Sequence, residues 1–77
     1  MEKPVHIRAF WDDEAKVWVA HSDDVPGLVT EAQSVDQLVE KLKTLIPELL
    51  AENGINATGD IPFKLVSEIE VVSRRAA

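Results

Sequence analysis

The 77-residue sequence contains no cysteine. That excludes a disulfide and every cysteine-based metal site. It has two histidines, His6 and His21, which are too few to build a metal cage by themselves. Only three glycines are present, Gly27, Gly54 and Gly59. They are too scattered to form a glycine-rich phosphate loop. No apolar run is long enough to span a membrane, and Met1-Glu2-Lys3-Pro4 opens no apolar stretch of the secretory kind. The expectation is therefore a cytoplasmic protein without a membrane role. Basic residues are few as well. Lys and Arg total 8 against 14 acids, a net charge of −6. Between Asp12 and Glu40 there are eight acids and a single base, Lys16. Such a field repels phosphate backbones and favours a basic partner, so direct nucleic-acid binding is not expected.

Length bounds what remains. A chain of this size supports one core and is expected to form a single domain over 1–77. Small domains often lean on a disulfide, a metal or a second subunit. With the first two disfavoured, a homodimer is the natural expectation.

Along the chain, apolar alternation predicts a strand over Val5–Trp11 and another over Lys16–Ser22, joined by the acidic turn Asp12-Asp13-Glu14-Ala15. Asp23-Asp24-Val25-Pro26-Gly27 is a second turn, in which Pro26 presets φ and Gly27 accepts the positive φ of a type II turn. A third strand follows over Leu28–Ala32. Ser34 is placed to cap a helix, with Gln37 able to complete a capping box. Val35, Leu38, Val39, Leu42, Leu45, Ile46, Leu49 and Leu50 then form one apolar stripe. Asn53-Gly54 stops the helix. Pro47 lies inside it and cannot donate to the carbonyl of Lys43. One helix over about Val35–Glu52, bent near Pro47, is the expectation, with two shorter helices as the alternative. A loop over Asn56–Pro62 leads to a last alternating segment, Phe63–Val72. The fold class is α+β, β-β-β-α-β, an antiparallel sheet with one amphipathic helix on one face.

Both faces of the first two strands carry bulky apolar groups, Trp11 and Trp18 among them. One helix covers one face, so the other is expected to meet a second copy or another protein. The partner-binding candidates are the acidic turns and an exposed aromatic face, with Trp11, Asp13, Trp18 and Asp24 as the named residues. Core packing is the competing role for either tryptophan.

Catalysis finds little support. Ser34 serves as a cap, and Ser22 points to the opposite side of its strand from His21. One register sets His6 and His21 opposite each other, still without a third ligand. The acids sit in turns, as solvated loop residues do. No catalytic residue, metal site or cofactor is expected.

The order strand, acidic turn, strand, Asp-x-Pro-Gly, strand, Ser-capped helix resembles the HicB-like antitoxin superfamily. The matching segments are Asp12-Asp13-Glu14, Val17-Trp18-Val19-Ala20 and Asp24-Val25-Pro26-Gly27-Leu28-Val29-Thr30. Within that superfamily the chain looks most like short single-domain relatives of unknown function, with Leu49-Leu50 and Asn53-Gly54 also fitting. The resemblance implies a partial ribonuclease-H-like fold without catalysis. It also implies a protein that neutralises a small basic mRNA-cleaving toxin by covering its active site. Fuller members carry a C-terminal DNA-binding domain, which is not expected here. The alternative is a stand-alone homodimeric domain without a toxin.

Overall fold

The computed structural model describes residues 3–55 and 59–76. Its elements are β1 (Val5–Asp12), β2 (Val17–His21), β3 (Val29–Ala32), α1 (Val35–Glu52) and β4 (Phe63–Glu68). The order is the expected β-β-β-α-β. The strands form one sheet in the order β3-β2-β1-β4.

The sheet is mixed, which corrects the expectation of an antiparallel one. β1–β2 and β2–β3 are antiparallel, but β4 runs parallel to β1. The reason is the length of α1. The chain leaves β3 at the end of the sheet that carries the β1–β2 turn. Eighteen helical residues, about 27 Å at 1.5 Å each, return it to the opposite end. β4 therefore begins beside the start of β1, with Phe63 opposite Val5.

Local chemistry explains each boundary. The turn after β1 closes through the Lys16 amide donating to the Asp12 carbonyl at 2.7 Å. The Asp12 carboxylate accepts from the amides of Glu14 and Ala15, both at 3.1 Å. The turn before β3 has the Leu28 amide donating to the Val25 carbonyl at 3.1 Å, with Gly27 at φ +81°. That is the type II turn the Pro-Gly pair predicts. Ser34 caps α1 by accepting from the Gln37 amide at 3.1 Å. At the other end, Gly54 (φ +73°) and Ile55 donate to the carbonyls of Ala51 and Leu50. This is a Schellman closure, which needs a left-handed residue where Gly54 stands. α1 continues through Pro47 without a break, and Pro47 is exposed.

Directly paired residues share a face of the sheet. Val5, Ile7 and Ala9 of β1, Ala20 of β2 and Ala32 of β3 are buried beneath Leu38, Leu42, Ile46 and Leu50 of α1. The helical positions recur every four residues and make one narrow stripe. Val25 and Leu28 close the core at the Pro-Gly end.

The predicted strand over Phe63–Val72 stops at Glu68. Its pairing with β1 ends at Phe10↔Glu68, just before β1 enters the acidic turn. β1 itself runs on through Trp11 and Asp12, so β4 leaves the ladder while its partner continues. Within the expected loop Asn56–Pro62, residues 56–58 lie outside the described residues.

Candidate protein-binding surface

Trp11 and Trp18 are direct cross-strand partners at the end of the β1–β2 hairpin. Their rings meet edge to face, with centroids 5.6 Å apart and planes at 62°. This is a favoured geometry for the aromatic quadrupoles. The Trp11 indole N–H donates to Asp13 Oδ1 at 3.3 Å, and Lys16 Nζ donates to the same oxygen at 2.8 Å. Lys16 itself has a left-handed backbone, at φ 59°. The lysine hydrogen bond, then the indole hydrogen bond, then the lysine charge hold the Asp13 carboxyl below the ordinary aspartate range. Three of the four candidate residues, Trp11, Asp13 and Trp18, thus form one connected cluster.

Trp18 is half-buried and packs against the core, and Trp11 lies beside it on the face that α1 covers. Trp18 thus takes the core-packing role named as the alternative for either tryptophan. Odd-numbered β1 residues point toward the helix, so Trp11 follows Val5, Ile7 and Ala9.

Asp24 is at the opposite end of the sheet. Its carboxylate accepts from the His6 amide at 2.8 Å. Ser22 Oγ donates to the His6 carbonyl at 2.6 Å and accepts from the Asp24 amide at 3.0 Å. These bonds fasten the second turn to the start of β1. Ser22 and Asp24 are engaged in holding backbone together there. A cleft of about 670 Å³ opens at this end, lined by Lys3, His6, Arg8, His21, Asp23 and Asp24 among others.

The register separates the histidines. His21 pairs with Arg8, and His6 lies beside Lys64. Among the described residues no group of three or more His, Asp or Glu is placed to hold a metal ion.

The face of the sheet away from α1 carries Phe10, Val17, Val19, Val29 and Val66. Phe10 is 45% exposed, Val66 44% and Val29 70%. Phe10 leans on the His21 ring at a centroid distance of 6.0 Å. Arg8, Glu31, Lys64 and Glu68 share this face. Naming the tryptophans missed Phe10 and Val66. Strand parity was the signal for them, since residues between the core positions of β1 must face away.

A family model described as a domain of unknown function, DUF1902, matches residues 4–75. The chain belongs to the DUF1902 family. Among solved structures, hypothetical protein TTHA1013 from the extremely thermophilic bacterium Thermus thermophilus is 44% identical, with a TM-score of 0.70. The match covers 95% of this chain and 100% of that one. No curated protein matches. No helix among the described residues of this DUF1902 chain is long and apolar enough to cross a membrane.

Proposed function

We propose that this DUF1902 domain is a non-catalytic, cytoplasmic protein-binding module whose partner is a small basic protein, in the manner of a HicB-type antitoxin and its toxin. The observation that carries this reading is the hairpin end of the sheet. Asp12, Asp13 and Glu14 form its tip, above the Trp11–Trp18 pair. Glu31 of β3 and Asp36 in the first turn of α1 belong to the same end. Lys16, the base of the hairpin tip, is held by Asp13. Acids beside half-buried aromatics suit a basic partner. Rim charge speeds encounter and aromatic area holds the complex.

Co-expression with the product of the neighbouring gene, followed by co-purification, tests the reading. A complex with a small basic protein is expected, with association slowing as salt rises. Asp13→Lys with Glu14→Lys should lower the association rate at low salt. No complex with any small basic nuclease at low ionic strength would remove the proposal. A second reading, self-association, is favoured by the segment following β4.

A further inference from the structure

We propose that the segment Ile69–Arg75 is a strand that pairs antiparallel with the same segment of a second copy of this chain. The alternation of β4 continues past its last pairing with β1, through Ile69 and Val71 on one side and Glu70 and Val72 on the other. Ile69 is 54% exposed, Val71 72% and Val72 90%. Three β-branched apolar residues therefore stand in solvent in a segment with the composition of a strand. The segment runs clear of the body. The molecule measures 58 × 23 × 19 Å, and its radius of gyration is 14.9 Å where a compact chain of this length has about 11.5 Å. Eight extended residues span about 26 Å, which accounts for the excess length.

The two edges of the sheet differ. On β3, Lys41 Nζ donates to the Glu31 carbonyl at 2.6 Å and blunts that edge. On the β4 side, among the described residues, no hydrogen bond beyond the β1 ladder reaches positions 63–76. The outer edge of β4 and the segment after it are one continuous template.

Charge selects the occupant and the direction. Phe10 pairs with Glu68, so even-numbered positions lie on the face away from α1. Along that face the segment reads Glu68, Glu70, Val72, Arg74: acids first, base last. A second copy laid antiparallel about Val71 sets Glu68 opposite the second copy's Arg74 and Glu70 diagonal to it. Val71 then faces the second copy's Val71. A parallel arrangement would set acid on acid and base on base, which is unfavourable. The segment is thus self-complementary in one direction only. The second copy's Ser73–Arg75 would also lie along the outer edge of β4 at Ser67–Ile69, so the pairing is supported by a sheet at each end.

Sedimentation velocity on the purified chain tests this with no other protein present, so its outcome is separate from that of the basic-partner reading. The wild type should show a concentration-dependent dimer. E68R/E70R and R74E/R75E should each be monomeric, and an equimolar mixture of the two should restore the dimer. Because the chain has no cysteine, Val71→Cys should oxidise to a covalent dimer whereas Ser73→Cys should not. A wild-type monomer at all concentrations would overturn the proposal. So would a dimer indifferent to both charge variants, a mixture that stays monomeric, or equal cross-linking at positions 71 and 73.

Discussion

Single side chains at the hairpin tip show how little of this surface is passive. Asp13 accepts from both Lys16 and the Trp11 indole, so protonating it should disturb the indole N–H directly. The Trp11 indole proton, followed by NMR, should titrate with a midpoint below the ordinary aspartate range. The sign follows from linkage. A carboxyl lowered on folding contributes stability above its unfolded value and loses it as pH falls through the folded one. Asp13 is exposed, so that contribution is small and should shrink further with salt. A midpoint at or above the ordinary range would contradict the Lys16 and Trp11 contacts. Asp12 matters for a different reason, since its carboxylate holds two turn amides. Asp12→Ala should cost about 1 kcal/mol in urea unfolding. Parity in β1 already showed that Asp12 and Phe10 share a face. It could not show that Trp11 would spend its N–H on Asp13, because that depends on where the turn after β1 places the carboxylate.

At the scale of elements, α1 was the most legible part of the chain. Its cap, its stripe and its Asn-Gly stop all lie in local sequence, and local sequence is what sets a helix. Ser34→Ala should destabilise by about 1 kcal/mol. Pro47 contradicts the helix propensity around it without ending the helix. It is exposed and breaks one backbone bond, so Pro47→Ala should raise stability by up to about 3 kcal/mol in thermal or urea unfolding. An unchanged midpoint would mean that the residues around Pro47 already absorb the missing bond. Strand β4 was only half legible. Alternation predicted a strand to Val72, and the sheet uses six residues, Phe63–Glu68. A strand needs a partner as well as a pattern, and β4 parts from β1 at Phe10, two residues before β1 ends.

For the whole molecule, one core under one helix carries the fold, and the stripe Leu38, Leu42, Ile46, Leu50 is fully buried. Leu42→Ala should cost about 2–5 kcal/mol, a large share of the roughly 5–15 kcal/mol typical of a domain. Calorimetry or urea titration checks this. A loss under about 1 kcal/mol would mean the core collapses around the missing side chain. The opposite face of the sheet is left open, with Phe10, Val29 and Val66 in solvent. That openness, the acidic hairpin end and the unpaired segment after β4 are properties of the assembled sheet, and the binding readings rest on them.

Local sequence was enough for the element order, the helix and its ends, the type II turn and the helical half of the core. All of these follow from residues near one another in the chain. Four other features came only with the assembled fold: β4 runs parallel to β1, Trp18 packs against the core, Asp24 fastens backbone, and, among the described residues, the end of the alternating segment has no strand partner. Each of those depends on how far α1 carries the chain and which strands meet, and neither is encoded in local periodicity.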